Sequence, residues 1–264
     1  MKDISIVIKG AGEMASGIAL SLYRAGMSRI CMIEIDMPLC VRRTVSFCEA
    51  LYEKQVEVEG VTATFVRDRS ELARAWDRGR IGVMVDPEWK IIAELEPDVV
   101  VDAILAKQNL GTVKSEAPVV IGVGPGFSAP GVVHAAVESN RGPNLGRAVY
   151  SGETEPYTGI PGVKSGYRWE RVLLAPHGGT VRLVKSIGDT VTAGDEVLYV
   201  DHTPVRAEID GIVRGLIREI VVEEDEKIGD IDPGGDPSCC REVSDKARAV
   251  GRGVLEAVKK LSNG

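Results

Sequence analysis

No apolar run in this chain of 264 residues approaches the ~20 residues needed to span a bilayer. Lys9 and Glu13 also interrupt the first hydrophobic stretch, so neither a membrane span nor a secretory leader is expected, and a cytoplasmic location follows as an expectation. The five cysteines, Cys31, Cys40, Cys48, Cys239 and Cys240, form no paired framework, and an odd count fits a reducing compartment. Cys-x-x-Cys and His-Glu-x-x-His spacings are missing, and His134, His177 and His202 lie far apart, which argues against a conventional metal site. There is no Gly-x-Ser-x-Gly elbow and no Walker lysine, so the best-known hydrolase and P-loop chemistries find no foothold.

An excess of positive charge is lacking too. The formal net charge is -7 and the pI about 5.2, which speaks against general nucleic-acid binding while leaving local basic pockets open. With 44% hydrophobic and 27% charged residues, the chain is long enough for one large or two ordinary domains with cores of their own.

What is present begins at once. An apolar run from Ile4 to Ile8 leads through Lys9 into Gly10-Ala11-Gly12-Glu13-Met14-Ala15-Ser16-Gly17 and an amphipathic stretch ending near Gly26. This is a strand, a glycine turn and a helix, the arrangement that offers helix N-terminal amides to a phosphate. Gly10 makes the tight turn, Gly12 lets backbone approach a pyrophosphate, and Ala15 is small enough for close helix–strand packing. A second strand, Ile30 to Ile33, ends in Glu34, an acid placed for a ribose diol, with Asp36 as a competing candidate. Arg42 and Arg43 follow and could meet a phosphate through bidentate guanidinium bonds.

Further along, Val56 to Val58 and Val61 to Val66 read as a hairpin, Ser70 to Arg78 as a helix, Val83 to Val85 as a short strand, and Pro87 opens another helical piece. Asp98 to Ala103 and Val119 to Gly122 read as buried parallel strands. Alternation of this kind predicts a parallel sheet with helices on both faces and ligands outside the carboxyl ends of its strands. Two features fall at those ends: Asp102 with Lys107, a candidate catalytic acid and base, and Gly122, Gly124 and Gly126, whose spacing frees amides to face an anion. Asn140 to Arg147 is a polar loop suited to a ligand or to turn chemistry.

The Gly- and Pro-rich stretch from Gly152 to Gly166 marks a boundary. Beyond it, short strands and an internal echo, Ala175 to Val181 against Ala207 to Val213, indicate a small all-β unit. It resembles the barrel-sandwich hybrid of biotinyl and lipoyl carrier domains in its Ala-Pro-x-x-Gly, Gly-Asp-x-Val-x-x-Gly-Asp and Asp-Gly-x-Val elements. Carrier domains present a lysine at the central hairpin; Val200 to Val205 has none, so a scaffold or interaction module is expected rather than a swinging arm. The chain ends in a turn-rich loop and a helix opened by Ser244, with Val250, Val254 and Val258 at helical spacing. Gly251 and Gly253 suit that helix only if another backbone comes close. Cys240, beside Arg241, is a candidate reactive thiol. The expected organisation is a Rossmann-like domain over 1–160, a barrel-sandwich domain over 168–228 and a C-terminal loop and helix over 229–264 that packs back on the first domain.

Taken in order, Ile8 to Gly12 with Ala15-Ser16-Gly17, Arg42 to Phe47, Val101 to Lys107, Gly122 to Phe127, Arg141-Gly142 to Gly146-Arg147, and Ser244 to Ala249 resemble one family over nearly the whole chain. It is the selenium-dependent molybdenum hydroxylase system protein family, also called YqeB-like. The resemblance implies a part in maturing molybdenum hydroxylases with a selenium-labile site, with such a hydroxylase as partner. A related class of accessory proteins with a Rossmann-like domain handles molybdenum cofactor, and such a phosphate-bearing ligand, with NAD(P) as the other candidate, would suit Gly10, Gly12, Ala15, Glu34, Arg42, Arg43, Gly122, Gly124 and Gly126 as read above. Two other readings stay open: an NAD(P)-dependent oxidoreductase using Asp102 and Lys107, and a non-catalytic adaptor. Oligomeric state is left open, a homo-oligomer included.

Overall fold

A computed structural model describes residues 4–262. The chain divides into two compact units, one built from residues 1–38, 46–158 and 243–264, the other from 39–45 and 159–242. Thus residues 39–45 belong with the second unit, and the expected break at 228/229 falls inside a strand of that unit.

The first unit begins with β1 (Ser5–Lys9), α1 (Glu13–Arg24) and β2 (Arg29–Glu34). After α2 (Ala50–Glu53) come the hairpin β3 (Gln55–Val58) and β4 (Val61–Phe65), α3 (Arg69–Asp77), β5 (Ile81–Val85) and α4 (Lys90–Leu95). Then follow β6 (Val99–Asp102), β7 (Val119–Val123), β8 (Ser128–Ala129), β9 (Ala135–Val137), β10 (Ala148–Val149) and β11 (Gly152–Glu153). A nine-stranded sheet runs β10-β9-β7-β6-β1-β2-β5-β4-β3. Its inner six, β5-β2-β1-β6-β7-β9, are all parallel and stand in the Rossmann order, so chain direction across the sheet reverses between β1 and β6. The hairpin extends one edge, with β4 parallel to β5 and β3 antiparallel to β4.

These strands are apolar on both faces because helices cover both; β1 is buried along its whole length. Val7, Cys31, Ile33, Leu72, Val100, Val120 and Phe127 share one core. Cys31 is an inert part of it, its thiol pushed up to about 12 by burial.

The last helix, α5 (Asp245–Ser262), lies against α1. Contact is backbone to backbone: a Cβ on Gly17 would come within 2.8 Å of Ala247 Cβ, and one on Gly251 would collide with Gly17 and Ser21. Glu13 accepts the Ser244 N–H at 2.8 Å. Glu59 accepts the Val243 N–H at 2.9 Å and the Arg248 guanidinium at 2.7 Å.

The second unit is all-β: β12 (Val172–Leu174), β13 (Gly179–Leu183), β14 (Thr190–Val191), β15 (Glu196–Val200), β16 (Thr203–Arg206), β17 (Gly211–Leu216), β18 (Val221–Val222) and β19 (Lys227–Asp232). They form two four-stranded antiparallel sheets, β12-β19-β17-β14 and β16-β15-β13-β18. Val181, Val197, Leu198, Val213, Ile228 and Ile231 fill the core. Asp201 and His202 turn the β15–β16 hairpin.

Candidate functional site

The turn after β1 stands where chain direction across the sheet reverses, the position at which open α/β sheets bind ligands. Gly10 has φ +94° and a Cβ there would lie 3.0 Å from Ala103 O, so this glycine lets the turn rest on the end of β6. Gly12 differs in both respects. Its backbone is extended, φ -68° and ψ -176°, and a Cβ on it would meet nothing within 4 Å. It is the N-cap of α1 and brings no side-chain cap, so first-turn amides are left to other acceptors. Ala15 is buried.

Neighbouring groups hold the turn firmly. The Ser16 hydroxyl donates to Ala11 O at 3.2 Å and accepts the Phe47 N–H at 2.8 Å; the Cys48 N–H donates to Ala11 O at 2.9 Å. Glu34 sits at the expected strand end, with one carboxylate oxygen accepting the Ala11 N–H at 2.8 Å and the other the Ile35 N–H at 3.0 Å. Burial raises its pKa, against the two amides that favour the charged form. Asp36 accepts its neighbour's N–H, Met37, at 3.1 Å, and no other donor among the described residues.

Several expected ligand groups are engaged otherwise. Arg42 and Arg43 lie in the second unit: Arg42 donates to the carbonyls of Cys239 and Glu242, both at 3.0 Å, and Arg43 to Leu216 O at 2.7 Å. Their guanidinium groups satisfy backbone of that unit, so a phosphate role beside Gly12 is corrected. The Phe127 ring lies where a Cβ of Gly122 would be, and a Cβ on Gly126 would come within 2.7 Å of the Gln108 and Asn109 backbone. At Gly124 the limit is Ser139 Oγ, 2.7 Å away. These three glycines admit close packing by the chain itself, which replaces the anion-loop reading. The 140–147 loop is likewise engaged by other parts of the first unit: Arg141 pairs in bidentate fashion with Asp245, and Asn144 donates to Glu155 at 2.8 Å.

The catalytic candidates are not brought together. Asp102 is buried and accepts the Thr112 hydroxyl at 2.6 Å, whereas Lys107 is exposed with its ammonium 4.4 Å from the Tyr157 ring centre. No acid–base pair arises, because β6 ends with Asp102 facing inward while the following loop leads Lys107 out. Cys240 is 4% exposed with Sγ 3.7 Å from Val213 O, a packed thiol rather than a presented one. Cys239 is held up at about 12 by burial and the Asp232 charge, so Arg241 does not make Cys239 a thiolate.

A network the motifs did not single out lies at the same sheet end. Lys9, fully buried at the end of β1, donates to Thr112 Oγ1 at 2.7 Å and Glu116 at 2.8 Å, with its ammonium 3.5 Å over the Trp89 ring. Thr112 relays to Asp102. Burial lowers the Lys9 pKa against the opposing pull of Glu116 and Asp102. The available signal was a lysine closing the apolar run Ile6-Val7-Ile8. Beside it lies a cavity of about 890 Å³ lined by Trp89, Ile92, Pro97, Glu116, Ala117 and Pro118. Among the described residues no cluster of His, Cys, Asp or Glu is arranged to hold a metal ion, and no helix is long and apolar enough to cross a membrane.

Fold and turn together define an α/β protein with a Rossmann-ordered sheet, accompanied by an antiparallel β unit. No protein-family model matches the chain. It is similar to the uncharacterized protein YqeB of Escherichia coli (strain K12), with 46% identity over 257 residues, 97% of this chain and 47% of YqeB. The likeness supports a YqeB-like family, although the chain spans about half the length of the curated relative it matches. Among solved structures it is similar to TcdA (CsdL), with 14% identity over 100% of this chain and 89% of that one, at a TM-score of 0.34. The ectoine utilization protein EutE (DoeB) from Ruegeria pomeroyi covers 81% of this chain and 61% of its own at 10% identity and a TM-score of 0.23. Likenesses this loose carry no functional argument.

Proposed function

We propose that the first unit binds a dinucleotide or a molybdopterin-type ligand, with a phosphate against the amides that open α1 and a ribose hydroxyl at Glu34. The observation that carries this reading is Gly12, a glycine that neither its backbone angles nor its neighbours require. What its missing side chain preserves is access to the start of α1, and a phosphate is the group that uses such access. Glu34, already aimed at the turn through Ala11, suits a neutral hydroxyl beside the phosphate better than a second anion.

The ordered blocks that resemble the selenium-dependent molybdenum hydroxylase system family support a role in maturation: the protein holds a cofactor or its precursor for delivery to a molybdenum hydroxylase. The second unit, read as a barrel-sandwich hybrid without a carrier lysine, would then dock the partner. Calorimetric titration of the full chain with NAD(H), NADP(H), AMP and molybdopterin tests the binding. Saturable binding of one of them, lost in Gly12→Trp while the circular dichroism spectrum is kept, is the expected result; silence toward all four rejects it. Hydroxylase activity in cells carrying Gly12→Trp tests the maturation role separately.

A further inference from the structure

A concavity of about 470 Å³ lies between α3 and the β3–β4 edge of the first unit, lined by Lys54, Phe65, Arg67, Arg74, Arg78 and Arg80 among others. Five cationic residues line it against one acidic residue, Glu71, in a chain whose net charge is -7. So dense a group of like charges is self-repelling unless an anion joins it.

Its parts are organised rather than loose. Glu71 accepts from the Arg67 N–H at 2.9 Å and from the Arg67 guanidinium, fixing that side chain along the rim. Arg74 donates to Ser70 Oγ at 3.0 Å, and Lys54 stands 4.7 Å over the Phe65 ring. Arg78 and Arg80 spring from one tight turn, both N–H groups donating to Ala75 O, at 3.1 and 2.9 Å. Among the described residues neither of these two has an acidic partner. The helix dipole accounts for a cation at Arg78, which caps the C-terminus of α3, but not for Arg80, Arg67 and Lys54 lining the same concavity.

We infer that this concavity is a binding site for a small, multiply charged phosphate compound, held by Arg78 and Arg80 and flanked by Arg67 and Lys54. Guanidinium groups take phosphate oxygens in pairs, and the volume falls in the range of small-molecule sites. A nucleic-acid strand is a poorer fit, since it needs a basic track and the chain is acidic overall. The site is separate from the turn at Gly12 and does not depend on its function.

Isothermal titration of the full chain with inorganic pyrophosphate decides the matter, with inorganic phosphate and a nucleoside diphosphate as arms that separate a free anion from an ester. Measured in the Gly12→Trp background, which removes the turn before α1 as a second phosphate site, pyrophosphate should bind saturably, weaken with added salt, and lose at least about tenfold in affinity when Arg78→Ala/Arg80→Ala is added. The lysine pair Arg78→Lys/Arg80→Lys should retain part of the affinity. Absence of saturable binding, affinity unchanged in the alanine pair, or tighter binding of a short RNA than of pyrophosphate overturns the inference. Arg78 is exposed and Arg80 half-buried, so retention of the fold is checked by an unchanged circular dichroism spectrum.

Discussion

Gly12 and Lys9 stand three residues apart and obey opposite rules. Because Gly12 has an extended, negative-φ backbone and open space around its α carbon, Gly12→Ala gains about 0.4–1 kcal/mol through the unfolded chain, and the poorer N-cap that alanine makes loses a similar amount, so the denaturant midpoint should move little. A loss above about 2 kcal/mol, more than the cap alone accounts for, would show that the glycine serves packing after all. Lys9 is locked instead. Its ammonium has no contact with solvent, and Glu116 is 14% exposed at the side chain, so Lys9→Met leaves a largely buried carboxylate and Thr112 without their donor. A loss of about 3 kcal/mol is expected, the usual range when one member of a buried pair is removed. Adding Glu116→Leu should recover part of it, because the two costs share one interaction; additive losses in urea unfolding would contradict a coupled pair.

At the scale of elements the crossing of α1 and α5 sets a sharper test. Gly251→Ala gains about 1 kcal/mol of helix propensity, yet its Cβ would collide with Gly17 and Ser21. Overpacking of a tight interface costs about 1–3 kcal/mol, so steric cost should exceed propensity and the variant should be less stable, read as a lower urea midpoint. This crossing was half legible in sequence: Gly251 and Gly253 sit in a valine-spaced helix and make sense only under close backbone approach. The β1–turn–α1–β2 unit, the β3–β4 hairpin and the short strands of the second unit were legible because each announces itself within a few residues, by apolar runs, alternation or glycine turns. The 39–45 segment was not. Arg42 and Arg43 carry the same local signal whether they meet a phosphate or the carbonyls of Cys239 and Leu216, and only long-range pairing decides. Gly122 and Gly126 misled for a related reason, since the same spacing serves amides facing an anion and an aromatic ring folding back. The Lys9 network went unread because its partners, Trp89, Thr112 and Glu116, lie at least 80 residues away along the chain.

For the molecule as a whole, connectivity limits what can be cut. The second unit needs residues 39–45: Thr44 donates to Cys240 O, and a Cβ on Gly215 would come within 2.8 Å of Val41. A fragment of residues 159–242 should therefore be less protected from proteolysis than the same residues in the intact chain, and addition of a 39–45 peptide should restore protection in part. Equal protection without the peptide would make the segment a passenger.

Acid should weaken both units, by different groups. In the second, burial would raise the Asp232 pKa, but the Lys164 ammonium and the Gly234 amide outweigh it and leave the carboxyl below its usual value. A carboxylate depressed in the folded state contributes stability above its unfolded pKa, ~3.9, which is lost as pH falls through the folded value. In the first, burial and the charge of Lys114 lower the His134 pKa, so protonation is disfavoured on folding and this group's contribution falls as pH drops below the unfolded ~6.5, while Glu34, its pKa raised by burial, works in the opposite direction. Glu59 adds an acid-sensitive part there: burial opposes its charge, yet the Val243 amide and two arginines hold its pKa down. Hydrogen exchange between pH 7 and 3, corrected for intrinsic rates, should thus show protection in the first unit beginning to decline near pH 6, while β17 and β19 hold until pH falls below about 4. His134→Gln should remove the earlier decline and leave the later one. If β17 and β19 lose protection first, or the pH 6 step survives the substitution, the assignment of the two steps is wrong.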